Sequence, residues 1–317
     1  MSDTRLNGYQ WRLLAFLSVA TFFEGFDFMA LSQILPEIRE ELGLSIDEAG
    51  IMISVINVGT VLAFLLIRKA DAWGRRRVLT ITIAGYTIFT GLTALSQGLW
   101  DFTLFQLIAR MFLIAEWATA MVFAAEEFPA EKRGLVMGLT QGFASLGSVV
   151  CAGVAPMLLD TDLGWRMVYL VGIVPLVLVA FARRSLKETK RFANQTAPRK
   201  VGLMDLLQGP YRGRVLLMGL LWALTYLGMS NAITFWKDFA VNQRGYSNSE
   251  VGMALTIAAV ISMPMVFASG KLLDVAGRRI GGAVIYVGGM IGVAGAFTLT
   301  DPTWLNAALV FGIFGVS

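Results

Sequence analysis

The sequence predicts an all-α membrane protein built as two pseudo-repeated helical halves, and three observations carry that prediction. The chain holds 56% hydrophobic and 15% charged residues, with a mean hydropathy of +0.66, where a soluble domain carries roughly 25% charge. Its apolar residues fall in runs near the ~20 residues that a helix needs to cross the hydrocarbon layer. A charged hairpin occurs twice between such runs, as Ile67-Arg68-Lys69-Ala70-Asp71-Ala72-Trp73-Gly74-Arg75-Arg76-Arg77 and Gly270-Lys271-Leu272-Leu273-Asp274-Val275-Ala276-Gly277-Arg278-Arg279. In each copy an apolar run ends just before an Asp, a Gly permits a tight turn three residues on, and two Arg precede the next run. Two copies predict a duplicated membrane unit.

Taken in order, the spans are expected at about residues 12–35, 49–67, 78–97, 102–124, 135–158, 165–182, 213–236, 250–270 and 280–299. These are nine full spans. A partial tenth begins near Leu305, and Ser317 arrives short of the ~20 residues a crossing requires, so the chain is expected to stop inside a helix. The polar opening Met1 to Gln10 leads into a run too long for a signal core and without a small-residue cleavage pattern, so the first run is expected to stay as a span. Pro36, Asp101 and the segment from Asp160 to Gly164 are read as helix ends. The longest non-apolar stretch divides the chain into an N-terminal six-helix bundle (1–182), a linker (183–212) and an incomplete C-terminal bundle (213–317).

Lys and Arg set the orientation, because basic residues stay on the cytoplasmic side. With the amino terminus cytoplasmic, 21 of them fall on that side and 4 (Arg39, Arg166, Lys237 and Arg244) on the other. The net charge of +4 therefore has a topological reading and needs no nucleic-acid partner. The chain has no His and one Cys, Cys151. No metal site and no cofactor are expected, proton chemistry must use carboxyl groups, and few catalytic constellations are left for an enzyme.

Four charged residues lie within the expected spans: Glu24 and Asp27 in the first, Arg110 and Glu116 in the fourth. A charge at bilayer depth costs ~2.5 to 3.5 kcal/mol even on the mildest scale, so such residues usually face a cavity or a partner. Glu24 and Asp27, three apart, lie within about 60° on one helical face. Asp27 and Arg110 each lie about 12 Å below the outer ends of their helices, at matching depth. Glu116 is some 120° around the helix from Arg110 and needs a partner of its own. A structural lock between helices and a proton- or anion-handling site both fit these positions.

Six spans, a basic central loop and further spans, with an acidic Gly-Arg hairpin after the second span of each half, resemble the major facilitator superfamily of secondary transporters. Gly270 to Arg279 matches that family's G-x-x-x-D-x-x-G-R-[RK] loop at every fixed position; the first copy carries Ile67 where the family has Gly. Arg110 resembles the family's fourth-span Arg, and Glu126 to Gly134, with Arg133, resembles the acidic loop that follows. Glu188-Thr189-Lys190-Arg191-Phe192 is similar to the P-E-S-P-R-[FY] segment, with both prolines replaced by lysines. Glu24-Gly25-Phe26-Asp27 resembles the D-G-[FY]-D segment of aromatic-acid and organic-acid proton symporters, with Glu for the first Asp.

The resemblance implies a fold of two six-helix halves, here nine spans and a partial tenth. It implies a secondary transporter in a bacterial cytoplasmic membrane that carries a small organic anion with protons by alternating access. Glu24, Asp27, Arg110 and Glu116 would handle proton and substrate. Asp71, Gly74, Arg75, Arg76, Glu126, Arg133, Glu188, Arg191, Gly270, Asp274, Gly277, Arg278 and Arg279 would form gating loops. The partners would be the small-molecule substrate and the lipid bilayer. A sugar or drug transporter of the same fold, or a non-transporting sensor, are the alternatives.

Overall fold

The computed structural model describes residues 6–182, 187–189, 208–210 and 212–316. Every regular element among them is helical. In chain order these are α1 (Gly8–Leu42), α2 (Ile46–Trp73), α3 (Arg75–Ala94), α4 (Leu99–Glu127), α5 (Ala130–Leu159) and α6 (Trp165–Ala182). After them come α7 (Arg212–Leu224), a π-helical stretch (Thr225–Ser230), α8 (Asn231–Arg244), α9 (Asn248–Ala276), α10 (Arg278–Thr298) and α11 (Pro302–Val316). Among the described residues eight helices are long and apolar enough to cross a membrane, with α7 through α8 running as one of them. The other two are shorter: α6 has 18 residues, and the apolar part of α11 is Pro302–Gly315.

The first helix corrects one expectation. Pro36 does not end it: α1 continues to Leu42 and closes at Gly43, whose φ of 63° is the left-handed geometry of a C-cap. A proline inside a helix removes one ladder bond. In membrane helices the freed group is commonly satisfied by neighbours, so the helix survives.

The duplication reaches further than the hairpins. Gly43-Leu44-Ser45-Ile46-Asp47-Glu48-Ala49-Gly50 is echoed by Gly245-Tyr246-Ser247-Asn248-Ser249-Glu250-Val251-Gly252. In both, the first Gly ends a helix at positive φ, and Ser and Glu form a reciprocal capping box that starts the next helix. The helices so begun have 28 and 29 residues, and each ends at its hairpin Gly. Gly74 (φ 92°, ψ 149°) and Gly277 (φ 80°, ψ 150°) share one backbone conformation, a region that side chains disfavour.

The chain divides into two compact units. Unit 1 is Met1–Ala30, Glu37–Ser148 and Met157–Arg199; unit 2 is Leu31–Pro36, Val149–Pro156 and Lys200–Ser317. In unit 1, α4 packs along α2 and α3, and α3 also along α6. Leu13, Leu17, Leu79, Ile83, Phe123 and Phe128 form an apolar core at one end of it. In unit 2, α11 packs along α10 and α9. Large apolar side chains such as Val61, Ile88 and Met290 stay exposed, as suits helices whose outer faces meet lipid. Lipid is as apolar as leucine, so close backbone packing must hold such helices together.

Candidate functional site

The charged positions of α1 are set by how closely that helix meets α5. A Cβ built on Gly25 would lie 1.8 Å from the Ala144 carbonyl oxygen, and one on Gly147 would lie 1.8 Å from that of Phe22. Only glycine permits this approach. Ser148 Oγ donates to the Gly25 carbonyl at 2.8 Å and Thr21 Oγ1 to that of Thr140 at 2.9 Å, which fixes the rotation of α1. On the other side, Gly59 lets α2 approach α4 where Arg110 stands: a Cβ there would lie 2.4 Å from the Leu107 oxygen and 3.1 Å from Arg110 Cβ.

This packing, all within unit 1, gathers five residues from three helices, α1, α3 and α4. Asp27, Arg110, Glu116 and Tyr86 are buried and Glu24 is half-buried. The Arg110 charge acts on both Glu24 and Asp27. Glu24 also senses the charge of Glu116, the carboxyl on the other face of α4 from Arg110. Tyr86 of α3 lies within hydrogen-bonding reach of Asp27 and senses Glu116 as well. The guanidinium of Arg110 stands 5.7 Å from the Phe28 ring centroid. Arg110 Nε and Glu116 Oε2 are buried without a hydrogen-bond partner among the described residues. Phe23, Phe89 and Phe112 pack against Tyr86 and Leu113 beside the cluster, the Phe89 and Phe112 rings stacked at 6.1 Å. Three carboxyl groups, one guanidinium and flanking aromatic faces offer places for a proton, an anion and a flat ring. Gln106 bonds Thr93 at 3.1 Å, and in unit 2 Trp236 bonds the Ala296 carbonyl at 3.0 Å; both are interhelical packing.

The first hairpin forms a second cluster in unit 1. Gly74 has no side chain to cap α3, and the first-turn N–H groups of Arg75 and Arg76 donate instead to the Glu188 carboxylate at 3.0 and 3.2 Å. An anion at a helix N-terminus complements the helix dipole. Arg75 pairs with Glu126 at 3.1 Å, both side chains about 5% exposed, and also donates to the Ala70 carbonyl at 3.1 Å. Thr189 Oγ1 donates to the second Glu126 oxygen at 2.7 Å. Arg133 uses its Nε on the Phe128 carbonyl at 3.0 Å. In the second hairpin Gly277 takes its turn conformation and Arg279 is exposed. Arg191 and the side chains of Asp71, Asp274 and Arg278 lie outside the described residues, as do the surroundings of Gly270.

Two groups of charges escaped the sequence reading. Lys237, counted there with the outer-side cations, is fully buried with Asp238 beside it. Glu41 gathers Trp165 Nε1 at 2.6 Å and Arg166 Nη1 at 2.7 Å, while Arg166 Nη2 reaches the Ser96 carbonyl at 2.9 Å. Neither has a local sequence signal, since both depend on which helices become neighbours.

Comparison with known proteins places this geometry. A Haemophilus influenzae protein named for metabolite transport is 29% identical, over 98% of this chain and 79% of its own length. The cis,cis-muconate transport protein of Acinetobacter baylyi is 27% identical, over 92% of this chain and 72% of its own. The crystal structure of a D-xylose–proton symporter matches the fold with a TM-score of 0.76, 16% identity and coverage of 97% of this chain and 80% of that one. The family model described as Major Facilitator Superfamily matches residues 17–317. With nearly its whole length under that match, and both hairpins and the buried fourth-span arginine in place, the chain belongs to the Major Facilitator Superfamily of membrane transporters.

Proposed function

We propose that this transporter moves a small organic anion, an aromatic or other carboxylate, together with protons by alternating access. The observation that carries the reading is Arg110. Its guanidinium is buried in the span, stands over Phe28, acts on Glu24 and Asp27, and its Nε has no hydrogen-bond partner among the described residues. A guanidinium suits a carboxylate because its planar fork matches both oxygens. Three carboxyl groups around one cation leave a shortage of positive charge that a proton supplies. Anion and proton then enter the same cluster, and each changes the other's affinity. The similarity to a muconate transport protein supports an anionic substrate.

The inner hairpins act as latches in this reading. The Arg75–Glu126 pair and the Glu188 cap hold α2, α3, α4 and the segment after α6 together, and they break and re-form as that side opens. The protein would sit in a bacterial cytoplasmic membrane with its amino terminus inside, its two bundles (1–182 and 213–317) joined by the linker. Uptake of radiolabelled benzoate, cis,cis-muconate and D-xylose into expressing cells tests the function. One of the anions should accumulate, faster at lower external pH, and Arg110→Ala should abolish accumulation. Accumulation of the sugar alone, or anion uptake indifferent to pH and to a protonophore, would overturn the reading.

A further inference from the structure

Lys237 is a buried cation outside the Arg110 cluster. It lies in α8, 0% exposed, beside the buried Asp238, and its Nζ donates to the backbone carbonyl of Gln33 in α1. Three features of the backbone converge on this bond. Pro36 has no N–H to give the Ser32 carbonyl, which loosens the ladder of α1 at that turn. Ser32 Oγ donates to the carbonyls of Ile233 at 3.3 Å and Thr234 at 3.2 Å. The π-helical stretch Thr225–Ser230 ends immediately before α8, and such insertions occur mostly at functional positions. A fourth observation points to a ligand. The Gln33 side chain is 0% exposed, and neither its Nε2 nor its Oε1 has a hydrogen-bond partner among the described residues. All of these residues belong to unit 2.

We propose that Lys237 is a second anion-binding residue of the transport path, whose bond to α1 is exchanged for the substrate's carboxylate when α1 and α8 separate. The proposal rests on the organic-anion reading above. Its chemistry is an exchange of acceptors. A backbone carbonyl is a neutral acceptor, whereas a carboxylate makes a shorter and roughly twice as strong charge-assisted bond to an ammonium group. Lys237 has three donors, and the amide Nε2 of Gln33 adds another for the same anion. An anion that binds only the separated arrangement shifts the population toward it. The Ser32 and Lys237 bonds would thus close the path until a substrate of the right charge arrives, and a neutral analogue would lack the means to open it.

The test uses the full chain in right-side-out membrane vesicles, with Gln33→Cys as reporter. That substitution keeps the backbone carbonyl which Lys237 uses, and Cys151, the single native cysteine, is fully buried. Labelling by a membrane-impermeant maleimide is followed with benzoate, cis,cis-muconate or neutral benzamide present. The transported anion should speed labelling several-fold and benzamide should not. Lys237→Met should label fast with or without anion, and should raise the KM for that anion about tenfold or more. Lys237→Arg should keep slow labelling and the anion response. Unchanged labelling in Lys237→Met, or an unchanged KM, overturns the proposal. If Lys237→Met does not reach the membrane, an equal effect of anion and benzamide on a transporting Gln33→Cys chain overturns it instead. If neither anion is transported by the unsubstituted chain, the organic-anion reading has failed, whereas Lys237→Met labelling without ligand still reports on the bond to α1.

Discussion

Replacing Gly147 by Ala should force α1 and α5 apart, and replacing Gly138 in the same helix should do the opposite of harm. A Cβ on Gly147 would meet the Phe22 carbonyl oxygen at 1.8 Å, the Phe22 carbonyl carbon at 2.8 Å and the Phe26 nitrogen at 3.0 Å. All three are backbone atoms, so no side chain can swing away. To bring the shortest contact to the 3.0 Å that real Cβ atoms respect, the helices must part by about 1.2 Å. Overpacking of this kind costs ~1 to 3 kcal/mol, and the nearby Ser148–Gly25 bond of 2.8 Å is worth about 1 kcal/mol more. A cost of about 3 kcal/mol lowers Tm by ~4 to 5 °C in a chain of this size. Around Gly138 nothing lies within 4 Å of the added Cβ. There the higher helix propensity of Ala should raise stability by up to ~1 kcal/mol. Thermal unfolding in detergent, read by exposure of the buried Cys151 thiol to a maleimide dye, compares the two. The same separation displaces Glu24 and Asp27, so Gly147→Ala should also lose uptake. If both variants melt within about 1 °C of the parent, the close contact between α1 and α5 is wrong.

Four further outcomes follow from the geometry. Gly74→Ala and Gly277→Ala should each destabilise by about 1 to 3 kcal/mol, because both turns use the same positive-φ conformation; a melt in which only one does so would refute the backbone equivalence of the hairpins. Glu126→Ala leaves Arg75 buried without its carboxylate and should cost about 3 kcal/mol or more, insensitive to added salt. The partly exposed Arg166–Glu41 pair, with side chains 25% and 43% exposed, should yield at most about 1 kcal/mol to Arg166→Ala, less in high salt. Glu116→Gln holds that position permanently neutral, and uptake should lose much of its pH dependence while exchange of substrate between the two sides persists; unchanged pH dependence would assign the proton to Glu24 or Asp27.

The sequence by itself determined that this chain is helical and membrane-bound. Span length, hydropathy and the Lys and Arg distribution are properties of a line of residues, and each span is satisfied by its own internal hydrogen bonds. It also displayed the duplication, since hairpin turns are encoded locally: Gly74 and Gly277 adopt the conformation their spacing implied. The four charged residues at bilayer depth were visible because such charges are costly anywhere in hydrocarbon. Only the tertiary structure decided what those charges meet. Glu116 acts electrostatically on Glu24 and Tyr86 because glycines at 25, 59 and 147 let particular helices approach, and that approach depends on matching surfaces distant in sequence. The same cause explains why Pro36 lies within α1 and why Lys237 is buried. Between apolar helices in lipid no hydrophobic force selects neighbours; complementary small residues and buried polar bonds do, and those complements are recognisable only once both surfaces are in place.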